Sequence, residues 1–223
     1  MQHIPDKVAV LTSGGLDSAV LLAHMARLGS RVHPVYVRHG LYWESEEQDH
    51  LQRFLAAISE IGVEELTVLD LPANDLYADH WSLTGVDVPD AETPDEAVYL
   101  PGRNLLLLSK TAVWCERNGI HAMALATLKG NPFSDNSTEF YQAMCRVLAM
   151  ALGCEFEIIT PFRGMSKEEV IEIGKDLPLN LTFSCIRPIN GNPCGACNKC
   201  AERRLAFERT NYSDSTIYAA TPV

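Results

Sequence analysis

Short apolar runs alternate along the chain with longer segments in which apolar residues recur every three or four positions. The runs Lys7 to Leu11, Val32 to Val37, Leu66 to Leu71, His121 to Ala126 and Glu155 to Thr160 are brief and bounded, and they read as strands. Between them, Asp17 to Leu28, Glu44 to Ile61, Asn104 to Asn118 and Thr138 to Leu152 carry helical spacing. Near-continuous apolar strands are what a parallel sheet covered on both faces requires, because neither face meets water. The repeated strand-helix order predicts an α/β fold: a doubly wound, mainly parallel five-stranded sheet. Ligands of such sheets bind outside the carboxyl ends of the strands, which directs attention to the loops after Leu11, Val37, Leu71 and Ala126.

Length sets the organisation. A chain of 223 residues, 47% hydrophobic, buries one substantial core. The expectation is a main domain over 1–183, a small helical subdomain over 184–210 and a loosely held tail over 211–223. Pro72 to Pro101 has few apolar residues and exceeds a simple connection, which predicts a substrate lid or a partly disordered segment.

Charge then narrows the function. Eighteen Lys and Arg against 29 Asp and Glu give a net charge of -11, the reverse of the basic footprint of phosphate-backbone binders, and disfavour a stable nucleic-acid partner. No apolar run approaches the roughly 18 residues of a membrane span, and Met1 to Pro5 shows no export pattern, so a soluble cytoplasmic protein is expected.

Ser13-Gly14-Gly15-Leu16-Asp17-Ser18 follows a predicted strand and opens a predicted helix. Two glycines let backbone N–H groups approach an anion, and the helix start adds unpaired donors and the positive end of its dipole. Ser13 and Ser18 can add hydroxyl donors; Asp17 can cap the helix or hold the metal ion of a nucleotide. The loop is neither a Walker A sequence nor the three-glycine dinucleotide fingerprint. A tight strand-helix turn that happens to use two glycines is the bland alternative.

Of seven cysteines, Cys185, Cys194, Cys197 and Cys200 crowd together, the last three two residues apart. Four converging thiolates suit tetrahedral Zn2+ in a closed, structural site that orders Ala201 to Arg209 as a terminal helix. Thiolates alone leave an iron–sulfur cluster open as well.

The phosphate loop resembles the SGGxDS loop of the PP-loop ATP-pyrophosphatases, with their adenine nucleotide alpha hydrolase-like fold. With Leu100-Pro101-Gly102-Arg103-Asn104, Thr160-Pro161, Lys167 and the cysteine cluster, the chain as a whole resembles the QueC family of 7-cyano-7-deazaguanine synthases. The resemblance implies ATP-dependent conversion of 7-carboxy-7-deazaguanine and ammonia to the nitrile through an adenylated carboxylate, with ATP, Mg2+ and Zn2+ as cofactors and a homodimer as the assembly. It implies catalytic roles for Ser13, Asp17, Ser18, Arg103 and Lys167. Nucleotide contacts are expected from Leu11, Thr12, Ser13, Gly14, Gly15, Leu16, Asp17, Ser18, Arg38, Gly102 and Arg103.

The chain departs from the family in two places. Where the family carries D-[FY]-S-G-Y-P-D-C-R, residues 128–137 read LKGNPFSDNS, and the segment after the second strand keeps only Arg38 and His39 of Q-R-H-x-x-E. Substrate contacts are expected from His39, Asn104, Phe133, which can stack on a purine-like ring, and Asp135, which can pair with a guanine edge. Equally, Phe133 can cover the core and Asp135 can cap a helix. Three other functions remain open: a related ligase using a protein or small-molecule amine, a tRNA sulfurtransferase, against which the acidic charge counts, and a module that binds ATP without turnover.

Overall fold

Val8, Ala9 and Val10 of strand β1 (Lys7–Leu11) are fully buried because β1 has a strand on each side and helices on both faces. β2 (Arg31–Arg38) and then β3 (Thr67–Asp70) extend the sheet to one side; β4 (Ala122–Ala124) and β5 (Glu157–Ile159) extend it to the other. All five run parallel in the order β3-β2-β1-β4-β5. The structure, a computed structural model, describes residues 4–219.

Alternation along β1 divides the core into two layers. Val8 and Val10 face a cluster built with Leu16, Val20 and Leu21 of helix α1 (Leu16–Arg27), together with Phe54, Phe162, Val170 and Ile171. Ala9 faces the opposite layer, formed by Val35, Val37, Leu108, Ala112, Met144 and Leu148. Each fully buried Val or Leu contributes roughly 1.5–3 kcal/mol, so the two layers fix the sheet that carries the loops.

The remaining helices follow in order: α2 (Glu44–Ala57), the single turns α3 (Asn74–Tyr77) and α4 (Trp81–Thr84), α5 (Arg103–Arg117), α6 (Thr138–Leu152), α7 (Lys167–Ile173) and α8 (Asn198–Glu208). α6 has the bounds its periodicity predicts. α7 starts at a capping box: Ser166 accepts from the Glu169 backbone N–H while the Glu169 carboxylate accepts from Ser166 N–H.

Residues 72–101 are folded onto the body of the molecule, and Trp81, Asp95, Val98 and Leu100 from this segment line the cavity described below. They hold α3 and α4 and are tied to the start of α8: Asn198 N–H donates to Pro89 O at 3.0 Å, Asn198 Nδ2 donates to Thr93 O at 2.7 Å, and Asp90 bridges Cys197. Trp81, Val88 and Val98 pack against the apolar cluster that includes Trp43, Leu100 and the buried cysteines. The stretch between 211 and 219 is also anchored rather than loose. Buried Arg203 needs a counter-charge and finds it in Asp214 at 3.2 Å, and Tyr218 Oη donates to Asp214 at 2.6 Å. Residues 220–223 of the expected tail lie outside the described residues. No helix among the described residues is long and apolar enough to cross a membrane.

Candidate active site

The sheet order reverses between β1 and β4, and a cavity of about 470 Å³ opens at the carboxyl ends of these strands. The loop 12–18 forms one wall. Gly14 takes φ +74°, and a Cβ there would lie 2.9 Å from the Glu47 carbonyl oxygen, so only glycine fits. Gly15 is the N-cap of α1 and supplies no side-chain cap, which leaves the first backbone donors of the helix available to an anion. The hydroxyls are organised around Ser18: its Oγ donates to Gly15 O at 3.0 Å and accepts from Ser13 N–H at 3.2 Å. Thr12 Oγ1 donates to the same Ser18 oxygen at 3.3 Å.

Asp17 does not cap α1. Its Oδ2 lies 3.3 Å from Lys167 Nζ, and Lys167 lies 2.5 Å from Glu202 Oε1 of α8. The chain of charges continues through Lys199, 2.8 Å from Glu202 Oε2 and 3.3 Å from Asp95. Burial pushes the Asp17 carboxyl above the usual range against the pull of Lys167. Burial opposes the Lys167 charge, but Asp17 and Glu202 outweigh it and raise its pKa. Asp17 Oδ1 has no hydrogen-bond partner.

The opposite wall brings in Arg103 and Asn104 from the start of α5, Phe133, and the apolar side chains of Trp43, Trp81, Val98 and Leu100. Gly102, at φ +72°, is the N-cap that turns the chain into α5. Arg103 Nε is buried without a partner, a donor suited to a phosphate or carboxylate oxygen. Phe133 stacks on Tyr99 with centroids 5.0 Å apart.

Leu11, Thr12, Ser13, Gly15, Leu16, Asp17, Ser18, Arg103, Asn104, Phe133 and Lys167 thus all line one cavity. Gly14 backs the loop instead of lining it. Four other expected residues lie away from the cavity surface, Gly102 among them as the N-cap of α5. Arg38 is exposed and pairs with Asp70 at 2.6 Å, because the end of β2 turns it outward. His39 is fully buried, and burial with Arg103 nearby holds its pKa down to about 4. Asp135 accepts the backbone N–H of Asn104 at 3.0 Å and its Nδ2 at 3.3 Å, which uses the carboxylate to hold the start of α5.

Sequence reasoning missed Tyr36, Glu47, Trp43, Trp81, Lys199 and Glu202, which also line the cavity. Glu47 is 7% exposed, accepts from Tyr36 Oη at 2.7 Å, and is pushed up to about 7 by burial. The acidic first turn of α2 reads in sequence as a solvated helix start, and nothing local shows that Glu47 turns inward.

The four cysteine sulfurs lie within 4.8 Å of one another and all four residues are buried. The pairs Cys194–Cys200 and Cys185–Cys197 are each 3.9 Å apart. A tetrahedral ion with metal–sulfur distances of about 2.3 Å sets its sulfurs about 3.8 Å apart, so the donor set fits a single metal ion.

A family model described as queuosine biosynthesis protein QueC matches residues 7–211. Relatives include the 7-cyano-7-deazaguanine synthase of Methanothermobacter thermautotrophicus, 31% identical over 93% of this chain and 97% of its own. That of Chlorobium phaeovibrioides is 29% identical over 97% of this chain and 98% of its own. Among solved structures, the U34-tRNA thiolase NcsA of Methanococcus maripaludis with its [4Fe-4S] cluster superposes with a TM-score of 0.52 at 13% identity, covering 90% of this chain and 64% of that one. A 4-thiouridine synthetase in complex with RNA and ATP gives 0.52 at 16% identity, covering 91% and 50%. At these identities the two structures speak for the fold alone.

Proposed function

The chain belongs to the QueC family, and from that premise we propose that it converts 7-carboxy-7-deazaguanine and ammonia to 7-cyano-7-deazaguanine at the expense of ATP. The observation that carries the reading is the phosphate loop facing Lys167 and Arg103 across one cavity.

A carboxylate is a poor electrophile. Transfer of AMP to one of its oxygens expels pyrophosphate and makes that oxygen a leaving group. Ammonia then forms the C–N bond, and AMP departs with the oxygen. The nitrile requires the remaining amide oxygen to leave in the same way, so each turnover consumes two ATP and releases two AMP. The protein contributes position and charge. Loop 13–18 and the start of α1 hold the pyrophosphate. Lys167 offsets charge growing on the α-phosphate, and Arg103 holds the carboxylate or a phosphate oxygen in place. Asp17, with its unpartnered Oδ1, is the residue that would hold Mg2+, which when bound neutralises the phosphates.

The spacing of the cysteine sulfurs supports Zn2+ held by Cys185, Cys194, Cys197 and Cys200 in a closed structural site. We read the assembly as a cytoplasmic homodimer. Leu105, Val113, Val147 and Met150, exposed on the neighbouring helices α5 and α6, support an apolar contact face.

The test is mass spectrometry of the products after incubation with ATP, Mg2+, 7-carboxy-7-deazaguanine and ammonium. The nitrile with two AMP is expected. AMP with only an adenylate or amide would exclude nitrile formation, and absence of AMP would remove the reading altogether.

A further inference from the structure

Asp135, the acid whose type suits a guanine edge, is committed to Asn104 and lies off the cavity surface. Another carboxylate faces the cavity. Glu47 is buried at 7% exposure, and among the described residues it forms no ion pair. A carboxylate enclosed in this way, with Arg103 near but not in contact, is costly unless N–H or O–H donors reach it. Tyr36 Oη supplies one at 2.7 Å and the Trp43 side chain a second, which together fix the carboxylate plane and leave its remaining lone pairs for a ligand.

The surroundings specify what kind of donor completes the site. Beside Glu47 stands the indole of Trp43, stacked on Trp81 with centroids 5.7 Å apart and planes 15° from parallel, so a flat ring meets an aromatic wall there. Two coplanar N–H donors match the two oxygens of a carboxylate, which is the pattern of a ring N–H beside an exocyclic amine. An adenine edge offers one donor beside an acceptor nitrogen, which a carboxylate repels. Glu47 also packs its backbone against Gly14 of the phosphate loop, so a ring held by its carboxylate keeps a fixed offset from the reacting phosphate.

We propose that Glu47 is the specificity-determining residue of this site, reading the guanine-type edge of the acid through its ring N–H and exocyclic amine. The inference rests on the proposed function, because that reaction supplies a substrate with such an edge.

The experiment is titration calorimetry of the intact protein with 7-carboxy-7-deazaguanine, with its analogue lacking the exocyclic amine, and with ATP. Wild type and Glu47→Gln are compared, with circular dichroism as the folding control. The wild type is expected to prefer the full acid by roughly 30-fold, and Glu47→Gln to lose that preference while ATP affinity stays within about two-fold. Tyr36→Phe keeps the carboxylate and is expected to retain the preference at a few-fold weaker affinity. A wild type without preference overturns the assignment whether or not the variant folds, as does a folded Glu47→Gln that keeps the preference. Loss of ATP affinity alone assigns Glu47 to the adenine and also overturns it. A wild type that binds neither acid overturns the proposed function itself, an outcome distinct from the other three.

Discussion

Lys167 Nζ lies 2.5 Å from Glu202 Oε1 and 3.3 Å from Asp17 Oδ2, which joins the phosphate loop near the start of the chain to helix α8 near its end. Removing the cation leaves two facing carboxylates. Lys167→Met is expected to cost about 3 kcal/mol of stability and to slow AMP formation by about 100-fold. Adding Glu202→Gln should restore much of the stability and none of the rate. Denaturant melts and AMP assays of the single and double variants check this; a double variant no more stable than the single would contradict it.

Asp17→Asn separates chemistry from folding. The folded chain holds the Asp17 carboxyl above its ordinary pKa, chiefly by burial, so its charge is a burden that a neutral isostere relieves. Melting temperature is expected to hold or rise while AMP release falls by about 100-fold or more. Unchanged AMP release would remove Asp17 from the reaction.

Glu47 makes a pH prediction. Its pKa is about 7 in the folded chain against an ordinary 4.5, so the native state binds the extra proton. Stability from this group is full below about 4.5, falls as pH rises toward 7, and stays low above, a difference of at most about 3 kcal/mol. Glu47→Gln should therefore melt higher than the wild type at pH 8 and lose that advantage near pH 5. An equal difference at both values would count against the buried charge.

Gly14→Ala places a methyl 2.9 Å from the Glu47 carbonyl at a positive φ. A loss of about 1–3 kcal/mol and a weaker ATP affinity are expected from thermal melts and nucleotide titration. A variant of wild-type stability would show that the loop relaxes freely.

Cys197→Ser should lower bound metal and melting temperature together, because Cys197 is both a candidate ligand and the residue bridged by Asp90. Elemental analysis beside calorimetry checks this. Full metal content with an unchanged melting temperature would contradict it.

Much of the fold was legible because each strand and long helix carries its own period. All five strands fall where the apolar runs place them, within a few residues at either end. α7 was absent from the periodic pattern, being only seven residues long, although Ser166 and Glu169 announce its start. The order within residues 72–101 was not legible because their apolar anchors, Trp81, Val88 and Val98, follow no period and pack against a cluster drawn from both Trp43 and the distant cysteines. The phosphate loop could be read since its donors are contiguous. Glu47 and Glu202 could not, because an inward helix carboxylate and an outward one look alike until the sheet decides which side is the cavity.

The ion-pair chain from Asp17 to Asp95 has a further consequence for the order in which the molecule matures. The phosphate loop leaves the ribosome early, Lys167 far later, and Glu202 and Lys199 later still. These contacts span most of the sequence, so closing them is slow compared with forming the local helices. A chain ending before residue 199 keeps Lys167 for Asp17 but lacks Glu202 and Lys199, and leaves residues 89–95 without the start of α8. The full set of charges around the phosphate loop is therefore assembled last, when the C-terminal helix joins the sheet built before it.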